Sequence, residues 1–329
     1  MRTQHPGGPR RRTEEHGQII VIFALALGVL IAMVGLVLDG GSAYAQRRDE
    51  QSAADLASLA GANAFVVNYD QPATRTAAAI AAARTSAAQN GYTHGTGGVT
   101  VDVTIDTSNG ASVQVDISAP HQNSFATIVG MNTWTVSTTA TALTGFPDTV
   151  EGAGPMIFSI DAFGSDGQPL PQYANPAAPF AFGDTNHHAP TGPGDFAWTN
   201  YGTGNVDSNE VKNILEGSLV ITKTIEFGEY IGQHNNGNHT TLFDNANDCD
   251  HQGSVNTCLS GMDVPVPVVD ANGNFMGWAT FHVVSAEGGS SKKVNGYFVS
   301  PFLSQRLTVN CPFDDCPRYL GSYSLKLVN

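Results

Sequence analysis

The chain has 329 residues, enough for two domains with substantial cores. Charged residues make up only 13% of it, and its 36 Gly and 17 Pro favour turns and strands over a predominantly helical cytosolic enzyme. The formal net charge of −14 argues against a nucleic-acid partner, because binding to phosphate backbones needs clustered Lys and Arg. The dense basic cluster at residues 10–12 instead precedes an apolar segment that explains it better.

Residues 19–38 form an uninterrupted apolar segment without a charged side chain. A helix rises ~1.5 Å per residue, so this segment is long enough to cross the ~30 Å hydrocarbon core of a bilayer. A cleaved secretory signal is the alternative, since Ala43-Tyr44-Ala45 offers a cleavage site, but the apolar part of such a signal usually has about 7 to 15 residues. We therefore expect an uncleaved transmembrane helix at 17–39, preceded by a basic cytoplasmic tail at 1–16.

Basic residues flank this segment unequally. Four arginines precede it, whereas Arg47 and Arg48 follow it beside two acidic residues. An excess of positive charge marks the cytoplasmic side of a membrane span. We therefore expect a single-pass protein of the cell membrane, with its N-terminus in the cytoplasm, its bulk outside the cytoplasm, and the lipid bilayer as one partner.

A helical pattern continues beyond the span through residues 43–66, where small residues recur along one side. We expect the membrane helix to run on into this stalk. The stripe permits close approach of another backbone, either from the same chain or from a neighbouring subunit. A second Ala-rich helix is predicted at residues 73–89, ending at Asn90-Gly91. The members of the stripe are Ala53, Leu56, Ala57, Ala60 and Ala64.

Beyond residue 98 the sequence shows the alternating pattern of β-strands. Residues 99–105 and 111–117 alternate between apolar and polar side chains, and the turn at 108–110 joins them into a predicted hairpin. A short helical piece at 123–129 and a strand rich in Thr and Val at 134–143 follow. Helices segregated against a small antiparallel sheet indicate the α+β class, so residues 40–146 are predicted to form an α+β stalk domain.

Residues 147–179 contain six prolines, so the regular strand pattern of the preceding segment ends there. We therefore place a domain boundary after residue 146. Beyond it, apolar segments separated by turns predict a mostly β extracytoplasmic domain at 147–329. The strongest hairpin signal of the chain comes from residues 264–269 and 277–284, with a turn at 270–274 between them.

Four cysteines lie on the expected exterior side. Cys249 and Cys258 are separated by eight residues, and Cys311 and Cys316 by four. An oxidising compartment favours disulfides, and two local pairs are the simplest of the three possible connectivities. A zinc site is the alternative, but these spacings lack the CxxC pattern of structural zinc. We predict that all four cysteines are in disulfides.

One acidic loop follows part of a calcium-binding template, but its twelfth position holds Leu259 where a bidentate Glu is wanted. A solvated loop closed by a disulfide is the plainer interpretation, and the histidines of the Gly/Asn-rich stretches are typical of exposed loops. We therefore expect no metal and no cofactor. The weak calcium candidates are Asp248, Asp250, Gln252 and Asn256, and the histidines are His187, His188, His234 and His239.

Motifs of common enzyme classes are missing from the sequence. It contains no HExxH and no phosphate-binding loop with Lys, and Phe163 stands where the nucleophile elbow GxSxG needs Gly. Carboxylates such as Glu210 and Glu226 could pair as acid and base, but exposed acidic residues of a secreted domain are the simpler interpretation. We expect no catalytic residues and no enzymatic activity.

A set of motifs occurs in a fixed order along the first half of the chain. Gly17-Gln18 precede the apolar span, Asp39-Gly40-Gly41 and Arg47-Arg48 follow it, and an Ala-rich continuation begins at residues 51–55, QSAAD. Together these motifs resemble the N-terminal region of TadG-like proteins (TadE/TadG family) of the Flp, or tight-adherence, pilus assembly system, over residues 17–146. The resemblance implies a pseudopilin-like helix packed on a small antiparallel sheet, with other pilus-assembly or envelope proteins as partners.

The chain departs from the pilus system in one respect. Substrates of its prepilin peptidase typically carry Glu five residues after the cleaved Gly, where this chain has Ile22. We therefore expect retention as a membrane anchor. Residues 194–302 are loosely similar to the C-terminal region of some TadG-like proteins. The implied function is a non-enzymatic cell-surface protein associated with Flp/Tad-type pilus assembly or adhesion, and a membrane-tethered hydrolase or ligand-binding module is the alternative.

Overall fold

A computed structural model of the chain describes residues 16–185, 188–201, 206–215, 219–220, 222–231, 242–243, 259–303, 307–315 and 319–328. Within these ranges a long N-terminal helix leads into a five-stranded sheet, a closed six-stranded barrel and a small three-stranded sheet. The predicted mixed α+β class, with a mostly β C-terminal part, is confirmed.

The helices and strands of the described residues are numbered separately, each in chain order. The helices are α1 (His16–Val67), α2 (Arg75–Gln89) and α3 (Ser208–Leu215), with short 3-10 helices η1 (Ala126–Val129), η2 (Ile160–Ala162) and η3 (Pro171–Tyr173). The strands are β1 (Thr100–Asp106), β2 (Ala111–Gln122), β3 (Thr133–Gly145), β4 (Thr149–Glu151), β5 (Met156–Ser159), β6 (Phe180–Asp184), β7 (Asp195–Trp198), β8 (Thr222–Thr224), β9 (Asp263–Val269), β10 (Phe275–Glu287), β11 (Lys293–Phe298), β12 (Phe302–Leu303), β13 (Leu307–Thr308) and β14 (Ser322–Val328).

Helix α1 is continuous for 52 residues, so the apolar segment does run on into the Ala-rich segment. No proline interrupts it, and the Gly40-Gly41 pair keeps helical geometry. At ~1.5 Å per residue the helix is about 78 Å long, far more than a bilayer requires. Its second half therefore extends beyond the length that a span needs.

The second half of α1 packs with α2 against the sheet that contains β2. Ala53 and Ala57 of the predicted stripe are buried here with Ala83 of α2 and Val113 of β2. Gly61 lies where the elements approach most closely, since a Cβ added to it would lie 3.2 Å from the Ala83 Cβ and 3.0 Å from Val113 Cγ1. The buried small residues therefore serve packing within the chain.

Strands β1, β2 and β3 form antiparallel ladders, and the last described strand, β14, pairs with the remaining edge of β3. The predicted domain division places everything after residue 146 in one outer unit, whereas β14 returns to the first sheet. An uncovered edge of β3 would leave a row of backbone N–H and C=O groups unpaired, and β14 satisfies them. The outer part is thus tied to the stalk at both of its ends.

Phenylalanine fills the interior of the barrel, whose strands run in the order β10, β11, β6, β7, β5, β9. The ring centre of Phe158 lies between 4.6 and 6.1 Å from the ring centres of Phe182, Phe196, Phe281 and Phe298. Small closed barrels have side-chain cores rather than open lumens, and this one follows that rule.

The hairpin with the strongest sequence signal is present as β9 and β10, which are antiparallel neighbours. In the turn between them, the Asp270 carboxylate accepts hydrogen bonds from the backbone N–H groups of Asn272 and Asn274. Gly273 takes the left-handed φ of +82° that the turn needs. Local turn chemistry thus explains why this hairpin was predictable.

Candidate functional site

The first half of α1 has the surface of a membrane-spanning helix. From Ile19 to Leu38 every residue except Gly35 is exposed, although the segment is entirely apolar. Soluble proteins rarely expose a contiguous apolar surface of this size, because water solvates it poorly. Among the described helices, α1 alone is long and apolar enough to cross a bilayer. It fits an N-terminal membrane anchor.

Asp39 clamps the end of this apolar segment to the globular part of the chain. Its buried carboxylate accepts hydrogen bonds of 2.7 to 3.2 Å from the backbone N–H groups of Ser124, Phe125 and Ala126. These N–H groups open the 3-10 helix η1, so Asp39 caps η1 from another element. The Phe125 side chain also packs on Gly35, where an added Cβ would lie 2.6 Å from the Phe125 Cβ.

Glu50 lies on α1 beyond the clamp and is completely buried. Neither of its carboxyl oxygens has a hydrogen-bond partner among the described residues. Burial raises the pKa of Glu50 to about 7, and the opposing effects of Gln46 and Arg47 are weaker. The sequence had grouped Glu50 with the charges flanking the span, and no local pattern indicates its burial.

The replacement Glu50→Gln is expected to remove a pH dependence of stability. Because the folded-state pKa of about 7 exceeds the ordinary value of 4.5, Glu50 contributes stability that is complete below about pH 4.5 and is lost as the pH rises through 7. At pH 8 the variant should have a free energy of unfolding about 1 to 3 kcal/mol above that of the wild type. Urea unfolding of the full chain in detergent at pH 4.5, 6 and 8 measures this, and equal pH slopes would contradict it.

Arg75, at the start of α2, joins the stalk to the outer part of the chain. Its guanidinium donates two hydrogen bonds of 2.8 Å to the Asp314 carboxylate. The same guanidinium lies 4.9 Å from the ring centres of Phe65 and Phe313. A planar cation that stacks on rings while its N–H groups reach one carboxylate is chemistry specific to Arg.

A cavity of about 300 Å³ opens beside this ion pair. Aromatic side chains, among them Tyr69, Phe146 and Tyr319, form much of its wall. Ser165 also lines it, but no His or Cys stands among the described lining residues to make a nucleophile and base pair. The arrangement has the features of a structural junction.

The replacement Arg75→Ala is expected to loosen this junction and lower the free energy of unfolding by about 2 to 3 kcal/mol, because a charge-assisted pair and two cation–π contacts are lost together. Arg84→Ala on the same helix is the matched control, since Arg84 makes a single 3.3 Å hydrogen bond to the Val101 carbonyl. Thermal unfolding compares the two variants. Equal losses would contradict a special role for Arg75.

The weak calcium candidates Asp248, Asp250, Gln252 and Asn256 lie outside the described residues, so the calcium site stays a prediction. His187, His234 and His239 lie outside them too, whereas the Nδ1 of His188 is 2.9 Å from the Ala189 carbonyl oxygen. Within the described ranges, no group of three or more His, Cys, Asp or Glu side chains could hold a metal ion.

The cysteine pairing stays a prediction, because no complete pair falls within the described residues. Cys311 is described, and its sulfur is in a disulfide rather than a free thiol. The other three cysteines, Cys249, Cys258 and Cys316, lie outside the described residues, so the partner of Cys311 is not assigned.

An exposed apolar helix that continues into a packed α+β unit is the architecture of a membrane-associated protein with an N-terminal anchor. Residues 17–64 match the family model described as "Putative Flp pilus-assembly TadE/G-like". The matched segment includes the apolar span, Asp39, Glu50 and Gly61, and thus nearly all of α1. The resemblance inferred from the motifs is confirmed over this segment, while its extension to residue 146 and the looser C-terminal resemblance stay predictions. No curated protein and no solved structure matches the chain.

Proposed function

We propose that the chain is a membrane-anchored, non-enzymatic cell-surface protein associated with Flp/Tad-type pilus assembly or adhesion. One observation carries this proposal: the family match at residues 17–64 coincides with a single continuous helix that changes character along its length. Its first half is exposed and apolar, and its second half is buried against α2 and the sheet. The matched segment is therefore both the anchor and the foundation of the stalk.

In this proposal the N-terminus is cytoplasmic, and the stalk and the barrel are extracytoplasmic. The four arginines before the span support this orientation. A half-embedded helix packed on antiparallel strands agrees with the pseudopilin-like arrangement that the resemblance implies. The predicted disulfides agree with an oxidising exterior.

A continuous helix makes the stalk a stiff support. The part of α1 beyond Leu38 has 29 residues, so it extends about 43 Å from the end of the span. The barrel is held to this support by β14 and by the Arg75 junction. We infer that the outer part is presented to pilus-assembly or envelope proteins on a rigid stalk. Tyr44 and Leu56 of α1 are exposed and offer apolar surface for such a contact.

Deletion of the gene, followed by electron microscopy of surface fibres, tests the function. Loss or misassembly of the fibres is expected, with restoration by the wild-type gene. A tagged full-length chain, cross-linked in intact membranes and purified, should bring down at least one pilus-assembly component. Unchanged fibres together with no such component would overturn the proposal.

A further inference from the structure

A short apolar loop around η1 lies beside the end of the span. Residues 122–136 carry no charged side chain. Two large apolar side chains in this loop are strongly exposed, Ile128 at 78% and Met131 at 58%. No described residue covers them, so they would face water if the loop stood clear of the membrane.

The contacts of Phe125 fix the level of this loop along α1. Phe125 packs on Gly35 and borders a groove that Leu30 and Val34 also line. At ~1.5 Å per residue, these helix positions lie about 4 to 12 Å inward of Leu38. A helix that crosses the bilayer from residue 19 to 38 would therefore carry the loop below the membrane surface.

Several backbone N–H groups of the loop are already hydrogen-bonded within the protein, which lowers the cost of entering lipid. Asp39 accepts hydrogen bonds from the N–H groups that open η1, and the N–H groups of Ile128, Gly130 and Met131 are bonded within the loop. Unpaired backbone groups cost several kcal/mol each in hydrocarbon, so irregular backbone is tolerated there only when paired.

From the loop outward, the polarity of the surface changes in the same direction as it does across a lipid leaflet. A groove of about 280 Å³ between the loop and α1 is almost entirely apolar. Next outward, Trp134, Tyr44 and Arg47 line one surface depression. Trp and Tyr concentrate at membrane interfaces, and basic side chains bind lipid phosphates. The groove is lined by Gly28, Ile31, Leu36, Ile128, Met131 and Trp134, among others. Asp39 also lines it, and its carboxylate is turned to the N–H groups that open η1.

We propose that residues 124–131 form a second membrane contact, inserted beside the span into the leaflet nearest the globular part, with lipid acyl chains filling the groove. The proposal rests on the proposed membrane span of α1. Lipid is the occupant because the groove is continuous with the lipid-facing surface of the span and lies at the depth, about 5 to 10 Å, that interfacial segments reach. Two points of attachment then fix the rotation of α1 about its axis.

Tryptophan fluorescence tests this insertion, since the structure separates the three tryptophans. Trp198 and Trp278 are at most 2% exposed, whereas Trp134 lies beside the loop and is partly exposed. The full chain is reconstituted in phosphatidylcholine vesicles whose upper acyl chains are brominated. Quenching of the Trp134 emission is expected, and Trp134→Phe should remove the bromine-dependent loss.

The variant Ile128→Asp/Met131→Asp should reduce this quenching at least about twofold, because carboxylates are driven out of the leaflet. The matched variant Ile128→Leu/Met131→Leu should retain it. Resistance to alkaline carbonate extraction, recorded in parallel, reports on the span alone.

Three outcomes would overturn the proposal. Absent quenching in a chain that resists carbonate would exclude loop insertion and leave the anchor intact. Release by carbonate would overturn the proposed anchor and the insertion with it. Quenching that disappears as the ratio of protein to lipid rises would show that a second copy of the chain covers the groove.

Discussion

The double replacement Leu25→Arg/Val29→Arg is expected to release the chain from the membrane. Both positions lie near the centre of the apolar segment, one turn apart, and both side chains are exposed. Each arginine at the centre of a membrane helix costs about 2.5 to 3.5 kcal/mol, so the pair should cost about 5 to 7 kcal/mol. Cell fractionation followed by alkaline carbonate extraction measures the shift to the soluble fraction.

Leu56→Arg is the matched control for this experiment. Leu56 lies on the same helix beyond the span and is half exposed, so an arginine there should leave the chain in the membrane fraction. The released double variant should keep the thermal transition of the wild-type barrel, which separates loss of anchoring from misfolding. A double variant that stays in the carbonate-resistant pellet would contradict the assignment of α1 as an anchor.

The replacement Phe158→Ala is expected to lower the free energy of unfolding by about 3 to 5 kcal/mol. Phe158 is fully buried at the centre of the barrel, and its ring contacts four other phenylalanine rings. Its removal leaves a cavity that the surrounding rings, held on four hydrogen-bonded strands, cannot fill. Urea unfolding, followed by near-ultraviolet circular dichroism of the aromatic core, measures the loss.

Phe227→Ala provides the control, since it removes the same side chain from a half-exposed position and should change stability by less than about 0.5 kcal/mol. Membrane retention of Phe158→Ala should equal that of the wild type, because the anchor does not depend on the barrel core. A loss at Phe158 no larger than the loss at Phe227 would contradict the role of the aromatic cluster.

The Asp39 clamp shows how far sequence reasoning reached toward the candidate site. The sequence showed Asp39-Gly40-Gly41 as a motif and residues 123–129 as a short helical piece, but nothing in the sequence pattern connects them. They meet across 85 to 87 positions of the chain, through hydrogen bonds from backbone N–H groups. Every residue has such a group, except proline, so a bond of this kind leaves no pattern in the sequence.

Glu50 and Arg75 illustrate the same limit for charged side chains. In the sequence, Glu50 stands among the charges that follow the span and Arg75 lies in an Ala-rich segment, and neither context indicates burial or a distant partner. Arg75 is paired with an aspartate 239 positions away, and Glu50 is buried by the packing of the stalk. Burial and pairing depend on which surfaces meet, and that information is distributed over the whole chain.

The sequence by itself determined the long apolar segment, its continuation into one helix and the β9–β10 hairpin. Each of these depends on side-chain periodicity or turn chemistry within a few consecutive residues, where local energetics suffice. The predicted small-residue stripe was right only in part, since Ala53 and Ala57 are buried whereas Leu56 is exposed. Only the tertiary structure decided that β14 returns to β3, that six strands close around the phenylalanine cluster, and that η1 lies against the span. These contacts depend on matching strand edges and side-chain shapes between distant segments. A strand edge can pair, and a ring can pack, with a partner at any distance along the chain, so no local pattern predicts the partner.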